Sequence, residues 1–349
     1  MSVFNIKNWE YWSSSMFYIP LLPYAFYLAI KARSFGFFSA VNPGIEGSGN
    51  GLESKFKTIE LLPDYCKPAT VYVAKNEKIA TVINNISNAK INFPLIIKPD
   101  IGFRGLLVKK IGSIEDLSSY LNKYNSINLI IQEYIEFENE CGIFYHRLPS
   151  EKSGTITSLT LKKYLTVYGN GKSTLLELIH QDKRAQNYLA SILEINQPKL
   201  TTIYKKGEKI ILNVIGNHSK GTQFINGNHL INNDLVNFLN SLNTQIDGWF
   251  YGRIDVKYHS FDELLKGENF KILEINGIIS EPTHIYDATT GSYFKALKSI
   301  KKHWKLIYTI GTTNNKLGIA KYTNLKDFIS TYFKYKRYLK EIAKLNAIQ

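Results

Sequence analysis

The sequence predicts a fold of the α/β or α+β class, followed by a basic helical region at the C-terminal end. Apolar strand-like runs alternate with amphipathic helix-like stretches up to about residue 290. The segment after residue 291 instead places apolar and aromatic residues at helical spacing, with lysines between them. Those lysines form either a solvated face over a packed apolar face or a surface for an anionic membrane or substrate.

Composition limits the class of protein. The chain has 349 residues, of which 44% are apolar, and its net charge of +14 arises from 43 basic and 29 acidic residues. Such a charge favours an anionic partner: a nucleotide, a nucleic acid, an acidic substrate or an anionic membrane surface. The only cysteines, Cys66 and Cys141, form no metal-binding pattern, so a disulfide framework or a structural zinc is not expected and a reducing cytoplasm fits.

The N-terminal region contains 15 residues without a charge, 16–30. This stretch is shorter than the roughly 20 residues that span a bilayer, and Pro20 and Pro23 interrupt its first half. It also lacks the basic start and small-residue cleavage site of a signal peptide. A membrane-docking segment and a buried helix are the two main interpretations, ahead of a true span.

The elements before residue 150 follow from local patterns. Ser113 with Asp116 three residues later resembles a capping box and predicts the start of a helix, and Pro63 ends an earlier one. In chain order, the predicted elements are a glycine-rich loop (42–51), a helix (52–63), a strand (69–74), a helix (77–87), a strand (93–100), a tight loop (101–105), a strand (106–111), a helix (113–124) and two strands (128–136 and 140–148).

Two apolar strands near residue 260 carry oxygen-rich side chains. Glu274 and Asn276 are separated by two positions and therefore project to one face, while Leu273 and Ile275 point the other way. Buried polar groups need partners, which a magnesium ion and nucleotide phosphates would supply, with Asp255 on the neighbouring strand completing the ligand set. An ordinary solvent-facing edge strand is the alternative.

A second group of candidate residues surrounds Lys98, which ends a buried strand. A buried lysine needs a counter-anion, and phosphate is a suitable one. The loop 100–105 that follows contains glycines, so its backbone amides can approach phosphate; a simple hairpin turn is the alternative. The segment 132–136 ends another strand, where its backbone could contact an adenine edge and Glu140 ribose hydroxyls, unless it is only a charged loop.

The stretch VYGNGKSTL, residues 167–175, matches the last three positions of a P-loop at Gly171, Lys172 and Ser173. The first glycine of that motif is missing, because residue 166 is threonine. A broken P-loop, an exposed β–α turn capped by Ser173 and a phosphate loop of another kind are therefore all open on this motif alone.

These elements, in this order, resemble the ATP-grasp superfamily, and most closely its branch of D-alanine–D-alanine ligase, cyanophycin synthetase and glutathione synthetase. The resemblance covers roughly residues 53–290, and GNGKSTLLELI is similar to a GDGKSTxxELI segment of that branch. It implies an α+β ATP-grasp fold with two subdomains around ATP and a reduced N-terminal region. The implied division is an N-terminal hydrophobic and glycine-rich region (1–68), a small subdomain (69–126), a large subdomain with the metal site (127–291) and C-terminal basic amphipathic helices (292–349).

The resemblance also implies roles for individual residues. The catalytic residues would be Arg253, against the acyl phosphate and tetrahedral intermediate, and Lys172 in the closing loop. Mg²⁺ or Mn²⁺ would be held by Asp255, Glu274 and Asn276. The implied ATP-binding residues are Lys98, Gly102, Gly105, Gln132, Glu133, Tyr134, Ile135, Glu140, Lys162 and Lys163. The candidate substrate residues are Asn217 and Ser219, in a segment that resembles the family's N-x-S-x-G, together with Ser280, Glu281 and His284, which stand where D-alanine ligases have a glycine-rich turn. A salt bridge or solvated position for Glu281 and a structural role for His284 are the favoured alternatives.

The expected activity is ADP-forming carboxylate–amine ligation through an acyl phosphate. The segment GIISEPTH replaces the glycine-rich turn that D-alanine ligases use for the second amino acid, so D-alanine is not the expected substrate. The expected partners are ATP, a small carboxylate and an amine that is amino-acid-like or lipid-linked, with a location in the cytoplasm or on the cytoplasmic face of a membrane. The alternatives are a nucleotide-binding protein at the membrane without ligase activity and a nucleic-acid-binding protein, for which no recognition motif is found.

Overall fold

The computed structural model describes residues 6–102 and 105–347. Its strands are β1 (Thr70–Val73), β2 (Leu95–Pro99), β3 (Lys109–Ile111), β4 (Leu129–Glu133), β5 (Asn139–His146), β6 (Thr155–Lys163), β7 (Thr166–Tyr168), β8 (Lys209–Ile211), β9 (Gln223–Asn226), β10 (Tyr251–Tyr258) and β11 (Phe270–Asn276). Its α-helices are α1 (Ser14–Tyr18), α2 (Leu22–Lys31), α3 (Lys55–Glu60), α4 (Ile79–Asn88), α5 (Ile114–Lys123), α6 (Leu175–Gln181), α7 (Lys183–Gln186), α8 (Leu189–Asn196), α9 (Asn233–Asn243), α10 (Phe261–Lys266), α11 (Tyr293–Lys316) and α12 (Leu325–Ala347). The α+β class expected from the sequence is confirmed.

The chain forms two compact units. Of the described residues, one unit contains 6–102, 105–161 and 226–347, and the other contains 162–225. The sequence-based divisions at residues 69, 127 and 292 do not separate these units. The division of the chain into four parts therefore remains a prediction.

The larger unit contains a four-stranded antiparallel sheet in the order β1-β4-β2-β3. Apolar side chains of its strands pack against α4 and α5 in one buried cluster, which Ile342 of α12 also joins. Helix α5 begins where expected, because the Ser113 side chain accepts the backbone N–H of Asp116 at 3.2 Å. Strand β3 is shorter than expected, since Leu107 adopts a φ of 57° that an extended strand cannot accommodate.

A five-stranded sheet has the order β11-β10-β5-β6-β9. Strand β10 lies between β11 and β5 and is antiparallel to both. The largest buried cluster lies on this sheet and includes Trp249, Ile254 and Ile275 together with apolar side chains of α9 and α10. This apolar cluster supports β10 and β11 and so fixes the positions of the polar side chains on these strands.

The glycine-rich loop predicted for residues 42–51 is held against the end of β10 by Asn42. The Asn42 amide nitrogen donates to the carbonyls of Ser48 and Tyr251, and its oxygen accepts the backbone N–H groups of Phe250 and Tyr251. At Gly49, φ is 78°, and a β-carbon would lie 2.5 Å from the Cα of Gly277. Glycine is therefore required where this loop meets the turn that follows β11.

The apolar segment 16–30 packs by one face only. Phe17, Leu21 and Leu28 are buried, whereas Met16 is 42% and Ile30 73% exposed. In the part of the chain that the structure describes, no helix combines the length and apolarity needed to cross a membrane. The segment is thus buried on one face and exposed on the other.

Helix α11 has a packed apolar face, as the first interpretation of its pattern expects, whereas α12 joins a buried cluster through its C-terminal half. Helix α11 buries residues at helical spacing, among them Ala296, Ile300, Ile307 and Ile310. Helix α12 contributes Ile342 to the cluster on the four-stranded sheet, whereas Phe333 is 62% exposed. The lysines between these apolar positions are largely solvent-facing.

The smaller unit has its own core. Apolar side chains of β7, β8 and helices α6 to α8 form a buried cluster that includes Leu175, Ile179 and Ile192. Strands β7 and β8 pair antiparallel. The loop 169–174 joins β7 to α6 at the edge of this unit.

Candidate active site

Four polar side chains meet on paired strands β10 and β11. Asp255 lies opposite Glu274, and Arg253 lies opposite Asn276. The Asn276 amide is 3.4 Å from Oδ2 of Asp255. The three residues expected to bind a metal are therefore neighbours on one sheet.

The alternation of β11 differs from the expected one at Leu273. The register of β10 and β11 shifts between Asp255 and Val256, which makes Leu273 the extra residue of a β-bulge. Ile275 points into the core as expected, but Leu273 is only half-buried and lies outside that cluster. The bulge leaves Glu274 and Asn276 on the same half-buried face.

Each carboxylate of this pair has a cation beside it. Arg253 donates from Nε and Nη2 to the two oxygens of Asp255 at 3.0 and 3.2 Å. Lys55 donates to Oε1 of Glu274 at 2.5 Å. Lys55 is the first residue of α3, 219 positions away in sequence, and the sequence analysis did not identify it.

The pKa values in this cluster follow from burial opposed by neighbouring charges. Burial alone would raise the pKa of Glu274, but the charges of Lys55 and Lys98 outweigh burial and lower it. Burial likewise would lower the pKa of Lys55, yet Glu274 raises it above its ordinary value. For Lys98, burial dominates over Glu274, and its pKa is lowered.

Lys98 lies near the end of β2, where its side chain is buried. Its ammonium donates to Oε1 of Gln132 on β4 at 3.1 Å and lies 3.5 Å from the carbonyl oxygen of Leu273. The four-stranded sheet thus places the buried ammonium of Lys98 near the carboxylates of Asp255 and Glu274. Glu140 on β5 is also buried and influences the same lysine electrostatically.

The segment between β4 and β5 contains the residues expected to contact adenine. Tyr134 has the ammonium of Lys110 3.7 Å and that of Lys257 5.3 Å from its ring centroid. Lys257 also donates to the carbonyls of Ile135 and Phe137 at 3.0 Å each. This lysine of β10 therefore holds the segment in place, a role that the strand pattern alone did not reveal.

The side chains of two residues predicted to contact adenine are already hydrogen-bonded within the protein. The Glu133 carboxylate accepts the backbone N–H of Ala69 at 3.1 Å, and Gln132 donates to the hydroxyl of Thr70 at 3.2 Å. These bonds connect β4 to the start of β1.

The loop after Lys98 is anchored by Asp100. Its carboxylate accepts from the hydroxyl of Ser54 at 2.8 Å and from the backbone N–H of Phe56 at 2.9 Å. Gly102 is half-buried and Gly105 has a φ of 71°. Residues 103 and 104 of this predicted phosphate loop lie outside the described residues.

The turn after β11 places Glu281 next to Arg253. Arg253 donates to the carbonyl of Glu281 at 3.2 Å, and the carboxylate of Glu281 accepts hydrogen bonds from the hydroxyls of Tyr18 and Tyr286. Ser280 donates to the carbonyl of Gly277 at 2.5 Å and so closes the turn. Tyr18, from the N-terminal apolar segment, is a further residue that sequence analysis did not connect with the site.

His284 lies beyond this turn in a mostly buried position. Its Nδ1 is 2.6 Å from the Ser158 hydroxyl oxygen. Burial lowers the pKa of His284 to about 4, so the ring is neutral at pH 7. This environment agrees with the structural alternative for His284.

The remaining predicted residues belong to the smaller unit. Lys162 and Lys163 end β6. Asn217 accepts the backbone N–H of Ser219 at 3.0 Å in a tight turn. Ser219 is exposed in this turn.

The loop that resembles a P-loop is organised by Asn170. Its side-chain oxygen accepts the backbone N–H groups of Lys172 and Ser173 at 2.9 and 2.7 Å. The Ser173 cap of the alternative interpretation is wrong, because Thr174 caps α6 and forms a reciprocal capping box with Glu177. Lys172 is exposed at the tip of this loop.

Two carboxylates and one amide form the candidate metal site. Among the described residues, no group of three or more His, Cys, Asp or Glu side chains is arranged to hold a metal ion. Oxygen donors of this kind nevertheless match Mg²⁺, which takes few protein ligands together with waters and substrate phosphates. Gly142 of β5 lies opposite Asp255, and a β-carbon there would come within 3.1 Å of Oδ1 of Asp255. The absence of a side chain thus keeps space beside this carboxylate.

The model of the RimK-like ATP-grasp domain matches residues 53–148. An ATP-grasp domain is thus recognised over residues 53–148 of this chain. The matched region contains Lys55, Lys98, Gln132 and Glu140, all of which lie in the larger unit. The sequence-based resemblance to the ATP-grasp superfamily is confirmed.

Solved structures with a loose likeness include the D-alanine–D-alanine ligase of Bacillus anthracis, with 14% identity, a TM-score of 0.46, and coverage of 78% of this chain and 72% of that one. The VanG D-Ala:D-Ser ligase of Enterococcus faecalis has 12% identity, a TM-score of 0.43, and coverage of 76% and 64%. The bifunctional glutathione synthetase of Pasteurella multocida has 15% identity and a TM-score of 0.37; 72% of this chain aligns with 36% of that enzyme. This chain thus spans about a third of the last protein's length. No curated protein matches the chain.

Proposed function

We propose that this protein is an ATP- and Mg²⁺-dependent carboxylate–amine ligase that acts through an acyl phosphate. The observation that carries the proposal is the cluster of paired charges on β10 and β11. Asp255 and Glu274 face each other, and the cations Arg253, Lys55 and Lys98 surround them. Alternating cations and carboxylates of this kind suit a polyphosphate with its counter-ion.

The first step would be phosphoryl transfer. A substrate carboxylate oxygen attacks the γ-phosphorus of ATP, the bond to the β,γ-bridging oxygen breaks, and ADP leaves. Lys98 is suited to offset the phosphate charge, because burial disfavours its charged form and lowers its pKa. A phosphate beside it would stabilise the charged ammonium. The backbone of Tyr134 and Ile135 would hold the adenine, and Glu140 the ribose.

The second step would be amide formation. The amine nitrogen attacks the acyl carbon, inorganic phosphate leaves, and the nitrogen gives up a proton. Arg253 is placed to stabilise the oxyanion, since its guanidinium is tied to both Asp255 and the carbonyl of Glu281. The Glu281 carboxylate, oriented by Tyr18 and Tyr286, would bind a cationic amine.

Asp255, Glu274 and Asn276 are the residues that would hold Mg²⁺ or Mn²⁺. The ion, when bound, supplies positive charge that neutralises the phosphates. Arg253 and Lys55, which pair with Asp255 and Glu274, would then bind the phosphates and the carboxylate substrate instead.

Residues of the smaller unit have assigned roles in this proposal. Lys162 and Lys163 would contact ATP phosphates, and Asn217 and Ser219 the substrate. Lys172 is exposed on a loop whose backbone N–H groups already have acceptors: the Asn170 side chain for Lys172 and Ser173, and the Tyr204 carbonyl for Gly171. We therefore propose that its ammonium, rather than a cradle of loop amides, approaches the reacting phosphate.

The experiment is ATP turnover over paired carboxylates and amines. We expect ADP and phosphate to appear only when both substrates are present. Glu274→Gln should lower turnover by about a hundredfold or more. The control Glu268→Gln, at an exposed glutamate just before β11, should leave turnover unchanged. Release of AMP and pyrophosphate would contradict the acyl phosphate. Full activity of Glu274→Gln would contradict the metal assignment, and ATP binding without any turnover would favour a non-catalytic nucleotide-binding role.

We also propose that the protein works at an anionic membrane surface. The N-terminal apolar segment exposes a row of large side chains at helical spacing: Met16, Ile19, Leu22, Phe26 and Ile30. Helix α11 lies next to α2 and contains no acidic residue, and its Lys301 lies over the ring of Tyr24 at 4.9 Å. An apolar row flanked by lysines matches the acyl boundary and headgroups of an anionic bilayer.

Vesicle flotation tests the membrane proposal. The protein should float with vesicles that contain phosphatidylserine and much less with pure phosphatidylcholine, and added salt should weaken binding. Ile30→Glu should release it, whereas Ile114→Glu, at an exposed isoleucine of α5, should not. Equal flotation of both variants would contradict a role for the apolar row.

A further inference from the structure

An apolar pocket lies beside the candidate active site. It has a volume of about 300 Å³ and is formed by α2, the turn at residues 37–40 and α11. Every lining side chain is apolar, and the rim includes Leu22, Phe26 and Phe35, which are 47%, 57% and 53% exposed. A pocket of this size and composition is at the lower limit of small-molecule sites.

The pocket is joined to the metal-site strand by the chain itself. Ile278 lines the pocket and lies only two residues after Asn276. Since consecutive Cα atoms are about 3.8 Å apart, their Cα atoms are at most about 7.6 Å from each other. The backbone N–H of Ile278 donates to the carbonyl of Ser48 at 3.0 Å, which fixes this turn against the glycine-rich loop.

A second connection runs through side chains. Trp304, another lining residue, stacks on Tyr18 with ring centroids 5.8 Å apart and planes at 15°. The hydroxyl of Tyr18 donates to the carboxylate of Glu281, whose carbonyl accepts from Arg253 at 3.2 Å. The apolar wall therefore continues directly into the polar groups proposed to bind the amine and the oxyanion.

We propose that this pocket binds the hydrocarbon chain of an amphiphilic substrate, either a carboxylate or an amine. The inference rests on the proposed ligase function and narrows its substrate class. The polar end of the substrate would lie at Glu281 and Arg253, and the chain would extend past Ile278 and Trp304 between α2 and α11. Covering the exposed rim would remove apolar surface from water, which supplies the driving force for binding. Among the described residues, no acidic or basic side chain lines the pocket, so it favours the hydrocarbon chain rather than a charged group.

A binding measurement tests the pocket without ATP turnover. The probe is dansyl-labelled undecanoic acid, used with the full chain below the concentration at which the probe forms micelles. We expect saturable fluorescence enhancement with one probe per chain. Ala25→Trp fills the pocket from α2, at a half-buried lining position, and should weaken probe binding by about tenfold or more.

Ile30→Trp is the matched control, because it adds the same side chain to the same helix at a 73% exposed position outside the pocket. The control should bind the probe as the unmodified chain does. Equal affinity in Ala25→Trp and Ile30→Trp would overturn the proposal. Probe binding that requires phosphatidylcholine vesicles would also overturn it, since the occupant would then be a bilayer. A dimer in sedimentation that Ala25→Trp dissociates would do the same, since the occupant would then be a second copy of the chain.

Turnover separates this inference from the ligase proposal. Ala25→Trp should lower kcat/KM for substrates with a medium-length chain and leave short-chain analogues unaffected. An equal effect on both would overturn the pocket assignment while ligation stands. Failure of all ligation with retained, Ala25-sensitive probe binding would instead refute the ligase function and leave the chain-binding site in place.

Discussion

Asn42 offers the sharpest test of how the N-terminal region supports the active site. Its buried side chain makes four hydrogen bonds of 2.8 to 3.1 Å to backbone groups of Ser48, Phe250 and Tyr251. In Asn42→Ala, the carbonyl of Ser48 retains the N–H of Ile278, whereas the other three groups lose this partner. Since a buried polar group without a partner costs about 1–3 kcal/mol, three such groups should lower the free energy of unfolding by at least about 3 kcal/mol.

Urea unfolding followed by tryptophan fluorescence measures this loss. Asn88→Ala, at an exposed asparagine of α4, is the control and should change stability by less than about 0.5 kcal/mol. A loss in Asn42→Ala below about 1 kcal/mol would refute the reasoning, because it would mean that water or the strand ladder replaces the amide without cost.

Three further predictions concern other parts of the chain. Lys257→Met should raise the KM for ATP by about tenfold with little change in kcat, because the carbonyls of Ile135 and Phe137 lose their donor; an unchanged KM in steady-state kinetics would contradict this. Burial lowers the pKa of His303 to about 3, so the unfolded chain binds a proton that the folded chain does not, and stability should fall as the pH drops from about 6.5 toward 3. His303→Phe should flatten that slope in unfolding measured at pH 4 to 7, and an identical slope would argue against the buried neutral ring. Thr174→Ala should cost about 1 kcal/mol and speed amide hydrogen exchange in the first turn of α6, whereas protection equal to the unmodified chain would contradict the capping box.

Local features of the site could be predicted because they depend on neighbouring residues. Glu274 and Asn276 share a face through the two-residue repeat of a strand, and Lys98 near the end of an apolar strand is buried as expected. The ATP-grasp resemblance was likewise recognisable from the order of such motifs. The choice between Ser173 and Thr174 as helix cap was not, because both residue types can cap and only the backbone path through Asn170 selects one.

Contacts between distant segments were decided by the tertiary structure. Lys55 reaches Glu274 because α3 packs beside β11, and Tyr18 reaches Glu281 because the N-terminal apolar segment packs on α11. The bulge at Leu273 also depends on pairing with β10. By itself, the sequence determined which segments become strands and helices and which polar residues they carry, since those properties depend on local periodicity. Only the tertiary structure decided which of these charges meet and where an apolar pocket remains, since both result from the packing of buried faces far apart along the chain.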